Sequence, residues 1–525
     1  MNRTSWAAKS ILVALGAAWA TPPAAQGMSH KDQGDMAAPK TAMILDGYGD
    51  GGFKITTANP KAQAYFDNGM QLDAAFAHKA AHEAMEESVR LDPQCAMCRW
   101  GLAWVSGPTI NFTKSEDEIA DLAKTVDEAE RLAKKSGTDR ERELIGALKL
   151  RYQDGGGNQP GDLAFAKAMT ALAARYPTDK EIGTIAAAAW LMSGPATPEG
   201  QELDSKVAMP MLERILAEDP NYTPAIHFYI HASEGAGQPA KAEAYADKLA
   251  ALAPNASHLV HMPSHTYYWV GRYEDAAKTN MRAVEIGMDN AKRLGLALPD
   301  GIWNLPYHGH NVTFGIGGAL MSGDSTIALK LARPLVARAA AREADSTPMI
   351  FSLLGYAAMA RFAPAAETLA LPEPKSAYIR SSWHYARGEV FAAQGDIARL
   401  RTEIAGIEGV KGAVNRDDGS FQAAQVPLIA RAVLTGRVAM LEHRYADAAA
   451  IFREAAELQE NPDFRLFSDP PVWWYPVRRD LAAALLASGD RVGAREEIVD
   501  SLSLWPRDPV ALALRSKLEA HTAAR

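Results

Sequence analysis

The chain has 525 residues, of which 48% are hydrophobic and 22% charged. This composition is ordinary for a globular protein and excludes a chain that is disordered throughout. Lys and Arg number 55 against 63 Asp and Glu, so the net charge is -8, and no segment is rich in Lys or Arg. We therefore expect no nucleic-acid partner.

Residues 1–20 have the pattern of a secretory signal peptide. The basic residues Arg3 and Lys9 precede a short apolar core that ends in Ala-Trp-Ala, a small-x-small cleavage site. A membrane anchor is the alternative, but the apolar run is well below the roughly 20 residues that span a bilayer. We expect a periplasmic or secreted protein that does not span the membrane after signal cleavage.

Residues 21–58 are rich in Pro, Ala, Gly and Asp and show no helical period, which predicts a linker or irregular arm. Beyond this arm the chain is a succession of Ala- and Leu-rich helical patterns separated by Gly, Asp-Pro and Asn-Pro. The first pattern predicts a helix pair over about residues 60–91. Because β-branched alternation is almost absent, we expect an all-α protein.

A repeat of 34 residues is clearest between residues 220 and 287. Three positions recur after that interval: Pro220 as Pro254, Gly237 as Gly271, and Ala242 as Ala276. This is the period of tetratricopeptide helix pairs, whose apolar faces are covered only by neighbouring pairs. The period predicts an all-α, tetratricopeptide-type helical-repeat solenoid with irregular insertions, near 288–310 and 459–474.

The two cysteines, Cys95 and Cys98, are three residues apart. In an oxidising compartment such a pair most simply forms a tight disulfide. Attachment of a c-type haem is excluded, because Arg99 stands where that motif requires His. A redox-active or copper-binding dithiol is the alternative interpretation.

Two histidine pairs repeat in step with the helix pairs. His227 and His231 are four residues apart, as are His261 and His265, and the second pair follows the first by 34 residues. The i, i+4 spacing places both imidazoles on one helix face, where they are able to bind one metal ion. Equivalent helices of adjacent repeats pack about 8–10 Å apart, so we expect the two pairs to meet.

This spacing predicts a transition-metal site of neutral imidazoles, which suit Cu, Zn or Fe. The candidate ligands are His227, His231, His261, His265 and His310. A polar patch that binds a peptide or small ligand, and a purely structural role, stay open as alternatives. His78 and His82 form a third i, i+4 pair, and we interpret His82 as part of a solvated face.

The predicted organisation therefore has five parts. They are a signal peptide (1–20), an arm (21–58), N-terminal helical repeats (59–215), central tetratricopeptide repeats with the histidine cluster (216–320), and C-terminal helical repeats (321–525).

The segments HFYIHASE, HLVHMPSHTYYWVGRYEDA and YHGHN resemble a family of bacterial exported tetratricopeptide-repeat proteins. The resemblance covers about residues 44–515, and its HxxxHxxE and HMPSH segments are the specific ones. It implies a superhelix with a concave groove and points to the same histidines, to Glu234 and, on the resemblance alone, to Asn311. Gly51 and Gly52 stand where members of the family often have histidines.

Three functions stay open at this point. The favoured one is a non-catalytic binding or assembly protein with a transition metal, because nothing in the sequence names a reaction. The second is a metalloenzyme, oxidative or hydrolytic, with Glu234 as candidate general base and Asn311 as polarising group. The third is a metal-free scaffold that docks a peptide or protein. In each case we expect the partner, a protein, a peptide or a small ligand, in the concave groove.

Overall fold

The structure is a computed structural model, and it describes residues 42–153, 160–194, 198–343, 349–409, 420–466 and 469–523. The predicted signal peptide and the start of the predicted arm, up to residue 41, lie outside the described residues. Within these ranges every regular element is a helix. The all-α helical-repeat prediction is confirmed.

The described residues form two compact units, an N-terminal unit that ends at Thr266 and a C-terminal unit that begins at Tyr267. The helices of the N-terminal unit are α1 Pro60–Ala74, α2 His78–Leu91, α3 Ala96–Val105, α4 Glu116–Ser136, α5 Asp139–Tyr152, α6 Gly161–Arg175, α7 Lys180–Leu191, α8 Pro198–Glu218, α9 Thr223–Gly235, α10 Glu243–Leu252, α11 Ser257–His261 and α12 Pro263–Val270, in which the boundary falls. The pair α1 and α2 matches the helix pair predicted over residues 60–91.

The C-terminal unit continues the same construction. Its helices are α13 Tyr273–Arg293, α14 His308–Ser322, α15 Ser325–Ala340, α16 Ser352–Phe362, α17 Ala365–Leu369, α18 Ala377–Ala393, α19 Ile397–Gly406, α20 Ser420–Leu441, α21 Tyr445–Gln459, α22 Arg478–Ser488, α23 Arg491–Leu504 and α24 Pro509–Ala523. The irregular insertions precede α14 and α22, and each contains a short 3₁₀ helix, Asp300–Asn304 and Phe464–Leu466.

Helix α4 illustrates why these segments are helical. Ser115 and Glu118 form a capping box at its start, which satisfies backbone N–H groups that have no partner within the helix. Acidic residues occupy the first turn and Lys134 and Lys135 the last, as the helix dipole favours. A stripe of apolar residues that includes Ile119 is buried, and it attaches the helix to its neighbours.

The turns inside the repeated helix pairs depend on glycine. Gly237 and Gly271, the two glycines that recur after 34 residues, have φ of 68° and 80°. Only glycine adopts this left-handed conformation without steric cost, and it ends a helix there. In both turns the glycine N–H donates to the carbonyl three residues earlier, that of Glu234 and of Tyr268 respectively. The sequence repeat is therefore also a repeat of backbone conformation.

One contact within the N-terminal unit departs from a regular repeat array. In such an array each helix pair contacts only its neighbours. Here α9 also packs against α1, about 150 residues earlier in the chain. This packing brings the turn after α1, with Ala74 and Phe76, to the histidines of α9.

Residues 42–58 contain no helix and run across the surface of the N-terminal unit. Leu45 and Asn68 exchange two hydrogen bonds of 3.0 and 2.9 Å. The Asp50 N–H donates to Thr223 Oγ1 at 2.6 Å, and the Thr223 N–H donates to Asp50 Oδ2 at 3.2 Å. This part of the arm therefore connects α1 with the start of α9.

Two further features complete the fold. Cys95 and Cys98 are joined by a disulfide at the start of α3, with their Cα atoms 5.4 Å apart. Of the helices in the described ranges, α20 alone is long and apolar enough to cross a membrane, and half of its apolar window is buried. It packs against α18 and α21, and core helices commonly meet the same criterion.

Candidate metal centre

Two adjacent repeats supply the histidines of the N-terminal unit. Helix α9 carries His227 and His231, whereas the next inner segment is split into α11 and α12. The split lies at Pro263, the first residue of α12, because proline has no N–H to continue the hydrogen bonding of α11. His258 and His261 therefore lie on α11, and His265 lies on α12.

Three imidazoles converge on one point between α9 and α11. Nε2 of His227 lies 3.2 Å from Nε2 of His231 and 3.2 Å from Nε2 of His258. One nitrogen from each of the three rings lies within 4.8 Å of the others. All three residues are buried. We refer to His227, His231 and His258 as the histidine trio.

Hydrogen bonding determines which nitrogen of His227 carries the proton. Its Nδ1 lies 2.7 Å from the carbonyl oxygen of Ala74, which only accepts, so Nδ1–H donates. In the neutral ring Nε2 then has a lone pair directed at the point of convergence. Two neighbouring Nε2 atoms, those of His231 and His258, lie 3.2 Å from it. A cation at this point would bind the Nε2 lone pair of each neutral ring.

The spacing of the trio also fits a metal ion. For a tetrahedral ion with metal–nitrogen distances of about 2.0–2.1 Å, the ligand nitrogens lie about 3.3 Å apart. The two 3.2 Å separations at His227 are close to that value. The hydrogen bond from His227 to a backbone carbonyl is the second-sphere contact that metal-binding histidines usually make.

Phe76 forms one wall of the trio. Its ring lies parallel to that of His258, with centroids 4.8 Å apart, and meets the His227 ring edge-on at 4.4 Å. The Phe76 backbone has φ of 54°, a left-handed conformation that bulky residues rarely adopt. Such strain persists only where the surrounding packing enforces it. Burial in this setting lowers the pKa of His227 to about 3, so its imidazole is neutral and suited to bind a metal.

His261 and His265 form a separate pair. Their Nε2 atoms are 2.9 Å apart. Nδ1 of His265 donates to the Glu234 carboxylate at 2.9 Å, and Nδ1 of His261 lies 3.3 Å from the Ser264 hydroxyl oxygen. Glu234 Oε2 therefore accepts the N–H of an imidazole.

The 34-residue repeat pairs His227 with His261 and His231 with His265, but the structure groups the predicted ligands differently. His227 contacts His258, and Glu234 contacts His265, in both cases across 31 residues and not 34. Side chains of one helix insert between those of its neighbour, so facing residues are offset by nearly one turn. Four imidazoles therefore do not converge on one point. The predicted ligand set lacks His258. This residue lies three positions before His261 on the same helix face, and that spacing could have identified it as a further ligand.

The other predicted residues lie as follows. His310 and Asn311 are buried on α14, in the C-terminal unit. His78 stacks on Phe76 with ring centroids 5.2 Å apart, and burial lowers its pKa to about 4. His82 is partly exposed, with its Nε2 3.3 Å from Glu86 Oε1 and its Nδ1 2.8 Å from Ser106 Oγ.

Comparison with known proteins gives similarity of fold only. No protein-family model and no curated protein matches the chain. Among solved structures, Cut9 of the APC/C Cut9–Hcn1 hetero-tetramer is similar at 11% identity and a TM-score of 0.31, over 87% of this chain and 76% of that one. Yeast Tom70 is similar at 12% identity and a TM-score of 0.26, over 89% of this chain and 90% of that one. The TPR domain of P58(IPK) is similar at 14% identity and a TM-score of 0.21, over 82% of this chain and 98% of that one. At these values the fold assignment rests on the helix pairs of the chain itself.

Proposed function

We propose that this protein is an exported tetratricopeptide-type binding protein that holds a transition-metal ion at the histidine trio. The observation that carries the proposal is the convergence of three buried Nε2 atoms on one point, with His227 Nδ1 committed to a carbonyl. Export is supported by the signal-peptide pattern of residues 1–20. Helical repeats are typical of protein-binding scaffolds, and we propose a protein or peptide partner on that basis.

The donor set limits the metals that the trio would bind. Neutral imidazoles suit Cu, Zn and Fe, whereas Ca²⁺ and Mg²⁺ prefer carboxylate and carbonyl oxygens. The three rings are buried, so bulk solvent has little access to their lone pairs. The trio would supply three nitrogen ligands, and Ala74 would hold His227 in the tautomer that binds metal.

The test is metal analysis of the mature protein purified from its export compartment. We expect at least one equivalent of Cu, Zn or Fe that is retained through gel filtration, and one equivalent fewer in the His258→Gln variant. The His82→Gln variant is the matched control, because it removes a histidine of the same unit that lies outside the trio. Metal-free wild-type protein that also fails to bind added Zn²⁺ or Cu²⁺ would refute the proposal and favour the metal-free docking scaffold.

A metalloenzyme is the second candidate, and one observation favours it. A trio of protein ligands leaves the fourth position of a tetrahedral ion to water or substrate, as in catalytic zinc sites. The Co²⁺-substituted protein tests this, because exogenous azide changes the visible absorption of Co²⁺ only if it enters the coordination sphere. An unchanged spectrum would indicate a closed, structural site.

A further inference from the structure

A second convergence of ring nitrogens lies beside the trio. Nε2 of His261 and Nε2 of His265 are 2.9 Å apart, and both residues are at most 1% exposed. The rings of the two groups are neighbours. The centroids of His231 and His265 are 5.6 Å apart, and so are those of His258 and His261.

The outer nitrogen of each ring in this pair is already engaged. His265 Nδ1–H donates to Glu234 Oε2, so in the neutral ring Nε2 carries the lone pair and points at His261. His261 Nδ1 lies 3.3 Å from Ser264 Oγ. A carboxylate that receives the far N–H of an imidazole is the usual support of a metal-binding histidine, since it fixes the tautomer and raises the basicity of Nε2.

The pair also borders a buried carboxylate. Glu234 is only 3% exposed, and its Oε2 lies 2.9 Å from Nδ1 of His265.

From this geometry we propose that the N-terminal unit binds two transition-metal ions side by side, the first at the trio and the second at Nε2 of His261 and His265. The proposal rests on the proposed metal-binding function. The second ion is of the same class, Cu, Zn or Fe, because its protein ligands are again neutral imidazoles. The N-terminal unit would supply the two imidazole nitrogens of the pair to this ion.

An ordinary hydrogen bond is the competing explanation of the pair. His261 Nε2–H donating to His265 Nε2 would also give a separation of 2.9 Å. That explanation would account for the pair without a second ion. The two explanations differ in the number of ions bound, so stoichiometry decides between them.

The experiment is equilibrium dialysis of the chelator-treated, full-length mature protein against Zn²⁺, followed by elemental analysis. We expect two Zn²⁺ per wild-type chain, one in His261→Gln, one in His258→Gln, and two in the control His82→Gln. One Zn²⁺ in the wild type that is kept in His261→Gln and lost in His258→Gln would overturn the second site and leave the proposed function standing. One Zn²⁺ lost in both variants would indicate a single merged centre and would also overturn the proposal. No Zn²⁺ in the wild type would refute both.

Folding of each variant is checked by circular dichroism and thermal melting. Glu234→Gln supplies a variant that leaves every metal ligand in place and keeps the volume of the side chain. We expect this variant to lower the affinity for the second Zn²⁺ by about 10–100-fold and to leave the affinity for the first unchanged. This is the usual effect of losing a supporting carboxylate. Equal affinity of both ions in Glu234→Gln and the wild type would contradict the second site as described.

Discussion

Replacing Phe76 by alanine and by glycine separates the two properties of this residue, the ring that covers the trio and the strained backbone that positions it. Either substitution removes the buried ring that contacts His227 and His258. Alanine keeps the strain of a left-handed backbone at φ 54°, whereas glycine adopts that conformation freely. The difference between the two variants therefore measures the strain, less the greater freedom that glycine gives the unfolded chain.

The expected magnitudes follow from these contacts. Loss of a buried phenylalanine side chain destabilises by about 3–5 kcal/mol, and both variants share this loss. The left-handed conformation costs an alanine about 1–2 kcal/mol. Glycine avoids that cost but gives the unfolded chain more freedom, which offsets about 0.4–1 kcal/mol. We expect Phe76→Gly to be more stable than Phe76→Ala by about 0.5–1 kcal/mol, the reverse of the usual order at a helical position.

Urea unfolding of the metal-free proteins, followed by circular dichroism, measures this difference. If the dependence of the unfolding free energy on urea is the same in both variants, the difference in their midpoint urea concentrations gives the difference in stability. Ala80 on α2 provides the control, since Ala80→Gly lies in an ordinary helix and should destabilise. An alanine variant at position 76 that is as stable as the glycine variant, or more stable, would refute the argument that Phe76 is held against a strained backbone.

Three other predictions concern the N-terminal unit. Burial lowers the pKa of His227 from 6.5 to about 3, so between these pH values only the unfolded chain takes up the proton. At pH 5 the metal-free protein should therefore lose about 2 kcal/mol of unfolding free energy that His227→Gln does not lose. Thr223→Ala removes a side-chain hydrogen bond to the arm and should cost about 1 kcal/mol and speed proteolysis within the arm, in contrast to the exposed control Thr125→Ala. The double variant Cys95→Ser/Cys98→Ser should lower the unfolding free energy by about 2 kcal/mol, as expected for such a short loop, and thiol titration of the denatured wild type should find no free thiol.

Local patterns account for the features of the fold that the sequence predicted. The first helix pair and the glycine turns depend on residues a few positions apart, which interact through the helix itself. Gly237 and Gly271 were recognisable because a left-handed turn favours glycine in every repeat. The i, i+4 spacing likewise placed His227 beside His231, with the two Nε2 atoms 3.2 Å apart.

The grouping of the ligands was beyond such patterns. A 34-residue period identifies equivalent residues, but it contains no information on the axial offset with which two helices pack. The offset of nearly one turn pairs His258 with His227 and leaves His261 with His265. The sequence shows a proline at position 263, where the inner helix is interrupted. It does not show how this interruption directs the side chain of His265.

The sequence by itself determined that this protein is a helical repeat with histidines in phase with its helix pairs, because periodicity and turn chemistry act over one or two helical turns. Only the tertiary structure decided that α9 packs on α1, which brings Ala74 and Phe76 against His227. Contacts across about 150 residues depend on the summed angles between successive helices, and no local pattern encodes that sum. The axial offset between neighbouring inner helices likewise separates the imidazoles of α9, α11 and α12 into a trio and a pair.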